Sequence, residues 1–313
     1  GRYPKNLWSK RIEGEKITLY LADNEYEEAR FIISQIHKLH IDQKMNLNEC
    51  AIFFRTHSQS RLFEDYLLKE NLPYVIVGGL SFYQRKEIKD LLAWLRMTLA
   101  STDFIAFSRT INLPKRGLGD TTLQKLREVV GKYKVDVLTC IQGILNNQIS
   151  CKLSTKQLQG LKEYIDLILS LQKSALQQTK LSLLIEQIIH QSHYLDYLRE
   201  DPDSYQDRRG NIEELITKAT EWEEENKEAS LAQFLEELTL KSSREKPEQN
   251  DHIRLMTLHN GKGLEFSCVF MVGLEEELLP HINTIGHPDA LEEERRLCYV
   301  GMTRAKDLLF LTA

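Results

Sequence analysis

At 313 residues, with 42 % hydrophobic and 28 % charged side chains, the chain has an ordinary globular balance and room for about two domains. No apolar run approaches the roughly 20 residues a spanning helix needs, and the apolar content is too high for a disordered chain, so membrane and fibrous classes are set aside. The net charge of −5 argues at first against nucleic acid, but residues 217–250 hold nine Glu against five Lys and Arg, so the other 279 residues carry only −1.

Runs rich in β-branched and aromatic residues predict strands at 17–22, 51–55, 74–78, 253–258, 269–274 and 308–312. Helical periodicity falls between them. Residues 25–39 place Ala29, Ile32, Ile33 and Ile36 at three- and four-residue steps, and 61–70, 87–99 and 291–305 repeat the pattern. Strands alternating with helices predict an α/β fold around a parallel sheet. From about residue 100 to 250 the strand signal disappears. Leu158, Leu161, Tyr164, Ile165, Ile168 and Leu169 form one apolar stripe there, and Leu184, Ile185, Ile188 and Ile189 another. The expected organisation is a discontinuous sheet domain (1–100 and 251–313) interrupted by an all-α insertion (101–250).

Five scattered cysteines (Cys50, Cys140, Cys151, Cys268, Cys298) without a CxxC pair predict buried thiols in a reducing compartment, not a disulfide framework or a zinc site. No metal site is expected. With no visible targeting segment, the expected location is cytoplasmic.

The turn Gly261-Lys262-Gly263 invites comparison with a phosphate-binding P-loop, but Met256 and Gly263 stand where that loop needs a Gly and a Ser or Thr. The segment is nevertheless loaded. Thr257, His259, Lys262 and Glu265 follow a strand, and ligands gather at the carboxyl ends of open α/β sheets. Four stretches accompany it in fixed order. They are Phe53-Phe54-Arg55-Thr56-His57-Ser58-Gln59-Ser60-Arg61, then Gly78-Gly79-Leu80 leading into Arg85-Lys86-Glu87-Ile88-Lys89-Asp90. Next come Pro114-Lys115-Arg116-Gly117-Leu118-Gly119-Asp120 and finally Glu292-Glu293-Glu294-Arg295-Arg296-Leu297-Cys298-Tyr299-Val300-Gly301-Met302-Thr303-Arg304-Ala305.

In this order the stretches resemble the second half of the UvrD/PcrA/Rep group of superfamily 1 DNA helicases. The resemblance implies a RecA-like, P-loop-NTPase-type sheet domain (2A) with a helical domain (2B) inserted. It implies an ATP-dependent enzyme that unwinds duplex DNA 3′-to-5′ in repair or replication restart. In that group the position of Glu265 holds the ribose, with Gly263 beside it. Arg304 corresponds to the arginine finger that neutralises the transferring phosphoryl group, a task suited to a guanidinium fork.

Thr257, His259, Lys262, Arg55 and His281 correspond to single-strand DNA contacts, and the Arg85–Asp90 run to a segment bordering that channel. Lys115, Arg116, Gly117 and Gly119 form a turn before a helix start, suited to duplex phosphates. Gly261 and Ser267 replace a usual Ala and Pro, which is expected to loosen the loop. His57 stands where relatives often carry Asn.

Walker A and B motifs are not found, so ATP with Mg2+ is expected to be shared with 1A and 1B domains that hold the Mg2+ ligands. The chain alone is expected to be inactive, as a fragment or half of a split protein. Expected partners are single-stranded and duplex DNA and repair proteins. The alternatives are a catalytically silent DNA- or partner-binding module, or half of a nuclease-coupled helicase.

Overall fold

The alternating apolar runs assemble into a six-stranded sheet in the order β1-β6-β5-β2-β4-β3, every neighbouring pair parallel. This computed structural model describes residues 14–226, 230–243, 251–284 and 286–313, so 227–229 and 244–250 of the acidic stretch lie outside it. In chain order come β1 (Thr18–Tyr20), α1 (Glu25–Asp42), β2 (Cys50–Phe54), α2 (Ser60–Lys69) and β3 (Tyr74–Ile76). The helices α3 (Lys86–Leu99), α4 (Phe104–Thr110), α5 (Asp120–Tyr133), α6 (Val137–Leu145) and α7 (Thr155–Leu176) follow. Then come α8 (Leu181–Ser192), α9 (Tyr194–Leu198), α10 (Pro202–Glu225) and α11 (Leu231–Ser243). The chain returns to the sheet with β4 (Ile253–Thr257), β5 (Phe266–Met271), α12 (Pro288–Met302) and β6 (Ala305–Thr312).

The period-two alternation of the strands sorts their side chains onto two faces. Ile52, Phe54, Leu255, Cys268 and Phe270 pack with Ala29, Ile32, Ile33 and Ile36 of α1 and with Leu62, Phe63 and Leu67 of α2. Ala51, Phe53, Met256, Val269 and Met271 point the other way and pack with Leu297 of α12. Every residue of β2 is buried, as expected of a parallel strand covered on both faces. Helix α1 starts where the Asn24 side chain accepts the Glu27 N–H at 3.0 Å, and Glu25, Glu27 and Glu28 sit in its first turn, where the helix dipole favours carboxylates.

Two compact units emerge: Gly1–Ser81 with Arg244–Ala313, and Phe82–Ser243. The helical unit occupies the place in the chain of the crossover between the parallel neighbours β3 and β4. It also takes in α3, which the sequence assigned to the sheet part. The buried face of α3 (Leu91, Trp94, Leu95) belongs to one core with Phe107, Tyr164, Ile168 and Ile188, and this apolar continuity decides its side. A second difference concerns β5. It begins at Phe266 rather than 269, because the Phe266 N–H already donates to the Arg304 carbonyl at 2.9 Å. Among the described residues no helix is long and apolar enough to cross a membrane.

Candidate functional site

The motif around Gly261 owes its shape to a topological constraint. Strands β4 and β5 are both parallel to β2, which lies between them, so the chain must return from the carboxyl end of β4 to the amino end of β5. It does so in residues 258–265, with no helix. Eight extended residues reach about 26–29 Å, enough to recross a six-residue strand of about 20 Å. The crossing passes over β2 through Gly261, where an added Cβ would lie 2.2 Å from Phe53 Cε1. Gly261 is buried, and its φ is not in the left-handed region. Here glycine provides room for the Phe53 ring, so the substitution packs the loop down instead of loosening it. Ser267 acts in the same sense, donating its hydroxyl to Glu49 Oε1 at 3.0 Å.

As a result, the residues that the sequence grouped at one strand end lie at two edges of the sheet. At the carboxyl edge, Arg55 follows β2, and Thr257 and His259 stand at the end of β4. Thr257 is buried and His259 exposed. Arg55 donates from Nε and Nη2 to both carboxylate oxygens of Glu294 at 2.8–3.1 Å, and the His281 N–H donates to Glu294 Oε2 at 3.2 Å. Burial pushes the Glu294 carboxyl up, but the Arg55 hydrogen bonds and charge, with the His281 N–H, hold it below the ordinary carboxylate value. Arg55, His281 and Glu294 therefore form one cluster, of which the sequence had named only the first two.

At the amino edge, Glu265 precedes β5 and Arg304 precedes β6. Arg304 Nε donates to the Val300 carbonyl at 2.9 Å, Nη1 to the Leu264 carbonyl at 3.3 Å and Nη2 to Thr303 Oγ1 at 3.0 Å. Lys306 Nζ stands 4.0 Å from Glu265 Oε2. Gly263, at φ +87°, leaves open space beside them, and Lys262 and Glu265 are exposed. One carboxylate and one guanidinium thus share a single edge, an acceptor suited to hydroxyl groups and a donor suited to phosphate. This corrects the expectation that Glu265 shares the carboxyl-terminal edge with Thr257 and His259.

In the helical unit, the turn at 115–119 is built from within. Asn112 Oδ1 accepts the N–H groups of Arg116 (2.7 Å) and Leu118 (3.1 Å), and Leu118 is fully buried. Gly117 has φ +74°, a conformation that favours glycine, with the Lys156 side chain beside it. Gly119 is the N-cap of α5, and its carbonyl accepts the N–H groups of Thr122 and Leu123 at 2.9 and 3.1 Å. Lys115 is exposed and pairs with Glu200 at 3.1 Å.

Arg116 does not share that orientation. Its Nη1 reaches the carbonyls of Thr110, Ile111, Leu113 and Pro114 at 3.0–3.4 Å, and its guanidinium lies over Trp94 and Tyr164. It fastens the turn from behind through Nη1. Within the Arg85–Asp90 run, Arg85, Glu87 and Asp90 are buried, while Lys86 is exposed. Arg85 Nη1 donates to Asn211 Oδ1 (2.7 Å) and Asn211 Nδ2 to Glu87 Oε1 (2.6 Å), while Asp90 accepts from Arg109 and Tyr194. These charges join α3 to α4, α9 and α10, so they do not border an open channel within this unit.

Sequence reasoning missed Glu294, Asn112, Lys156 and Lys306. Glu294 had a signal. It keeps three- and seven-residue steps with Leu297 and Gly301, the buried face of α12. A glutamate in register with an apolar face is committed to a partner.

Comparison with known proteins identifies the family. Residues 1–313 match the family of the UvrD-like helicase C-terminal domain. The chain is 39 % identical over 319 residues to the ATP-dependent DNA helicase PcrA of Bacillus subtilis, covering 99 % of this chain and 42 % of that protein. It is 37 % identical over 316 residues to the PcrA helicases of Staphylococcus epidermidis and Staphylococcus aureus, with the same coverage. The chain thus spans about two fifths of the length of these curated relatives. With a match along its whole length, the chain belongs to the UvrD-like helicase C-terminal domain family.

Proposed function

We propose that this chain forms the 2A and 2B portion of an ATP-dependent 3′-to-5′ DNA helicase acting in repair or replication restart. The observation that carries the reading is the division of the family-motif residues between two sheet edges. Glu265 and Arg304 both stand at the amino edge, Arg304 bonded to the Leu264 carbonyl next to Glu265. Thr257, His259, Arg55 and His281 stand at the other, and 258–265 and α12 run between them. In this reading the amino edge is the second face of an ATP site, completed by a 1A domain that also holds Mg2+. Bound ATP supplies the phosphoryl group whose transfer drives movement. Glu265 accepts hydrogen bonds from ribose hydroxyls, Gly263 leaves room for the sugar, and Arg304 turns from its own helix end toward the phosphates.

The carboxyl edge grips single-stranded DNA without reading its sequence, with Lys262 contributing charge from the connecting loop. Lys115 and the turn at Gly117 and Gly119 hold duplex phosphates, and Arg116 keeps that turn in shape. The test is Arg304→Ala in the whole helicase. DNA-stimulated ATP hydrolysis falls by about a thousandfold or more, the range of arginine-finger losses. Turnover near the parental rate overturns the assignment.

A further inference from the structure

We propose that Glu294 is a positioning residue for strand binding, a buried carboxylate that fixes Arg55 and the His281 loop in one arrangement on α12. The inference rests on the reading of the carboxyl edge as the single-strand face. Three observations carry it. Glu294 receives three hydrogen bonds from Arg55 and one from the His281 N–H, so one side chain joins the end of β2 to the loop after β5. Its side chain is only 7 % exposed, against 19 % for Arg55, so the carboxylate is too enclosed to bind a ligand of its own. The Arg55 bonds use Nε and Nη2, and Nη1 takes part in none of them.

The direction of the effect follows from burial. A phosphate that pulled Arg55 away would leave a buried carboxylate unpaired, which costs more than one phosphate contact returns. The pair therefore stays formed when a strand arrives, and the remaining guanidinium edge is presented in a preset orientation. Little side-chain freedom is then left to lose on binding. Backbone anchors hold the same corner, since Gln59 Oε1 accepts the N–H groups of Arg55 (3.0 Å) and Thr56 (2.9 Å). Helix α12 is seated firmly as well. A Cβ on its Gly301 would lie 2.5 Å from Leu258 Cδ2, so the helix lies flush against the start of the connecting loop. Beyond its end stands Arg304. Helix α12 thereby links the Arg55 corner, through Glu294, to the segment that precedes Arg304.

The test measures binding of a fluorescent oligo-dT to this 313-residue chain by anisotropy at fixed salt, for the parent, Glu294→Gln, Arg55→Gln and the double variant. Thermal unfolding of each variant confirms that it is folded. Glu294→Gln keeps the shape and one acceptor but loses the charge. The expected result is binding about tenfold weaker for Glu294→Gln, comparable to the loss of a charge-assisted hydrogen bond. Adding Glu294→Gln to Arg55→Gln should cause less than a twofold further loss, because the carboxylate acts through Arg55. The salt dependence separates the roles. Arg55→Gln lowers the slope by about one counterion, whereas Glu294→Gln leaves it unchanged. Binding by Glu294→Gln as tight as the parent or tighter overturns the proposal, as does an additive double variant. If Arg55→Gln itself leaves binding and slope unchanged, the single-strand reading of this edge falls, and the positioning role with it.

Discussion

Replacing Gly261 by alanine adds one methyl group at a point where the structure has no room for it. The new Cβ would lie 2.2 Å from Phe53 Cε1, 2.8 Å from Cζ and 3.2 Å from Cδ1, whereas carbon atoms pack at about 3.5–4.0 Å. An overlap exceeding 1 Å must be relieved by moving the loop or the ring. Phe53 is fully buried in the middle of β2, edge-on to Phe266 with centroids 6.0 Å apart, so its ring has little freedom to swing. The cost belongs to the overpacking range, about 1–3 kcal/mol. Urea denaturation of the chain should show a lower midpoint at unchanged slope. Phe53→Leu withdraws the atoms that clash, so the double variant Gly261→Ala/Phe53→Leu should lose at least about 1 kcal/mol less than the sum of the single losses. The functional consequence is parallel. A displaced crossing misaligns His259 with respect to Arg55, and oligo-dT binding weakens in Gly261→Ala and recovers in the double variant. A Gly261→Ala chain within about 0.5 kcal/mol of the parent, the range of an inconsequential surface change, would refute the close-packing argument.

Two buried carboxylates should move stability with pH in opposite senses. Glu294 is held below its ordinary value, so its contribution is present above the unfolded pKa and is lost as pH falls through the folded one; Glu294→Gln should flatten the acid limb of a urea-midpoint profile. Glu28 is pushed up by burial, despite hydrogen bonds from Thr312 Oγ1 and the Gly273 N–H. Its contribution is therefore present at low pH and lost as pH rises through the raised value. Glu28→Gln keeps an acceptor for both donors, so its midpoint relative to the parent should climb as pH rises, and a difference independent of pH would contradict this. In the helical unit, Arg116→Ala should cost about 3 kcal/mol by stripping carbonyls of a half-buried donor and uncovering Trp94 and Tyr164. Lys115→Ala should leave stability unchanged and lower the salt slope of duplex binding by about one. Equal stability of the two variants would remove the distinction drawn between these neighbours.

Particular residues show which features were legible in the sequence. The strand β2 could be located because it is a short continuous apolar run rich in aromatic residues, and helix α1 because its apolar residues obey a period of 3.6. Arg304 and Glu265 could be picked out because each sits in a local motif of fixed spacing. The internal bonds of Arg116 and Arg85 could not be read there for the opposite reason. A cationic side chain looks alike in sequence whether it meets a phosphate or a ring of carbonyls, and only packing against Trp94 or Asn211 distinguishes them.

By itself, then, the sequence determined the α/β class, the helical insertion and the family, all carried by local periodicity and contiguous motifs. Tertiary structure alone decided that Glu265 and Thr257, eight residues apart, stand at opposite sheet edges, and that Arg55 and Glu294, 239 residues apart, share hydrogen bonds. The physical reason is the parallel sheet. Its strands must all run one way, so every connection recrosses the sheet, separating near neighbours in the chain and uniting distant ones.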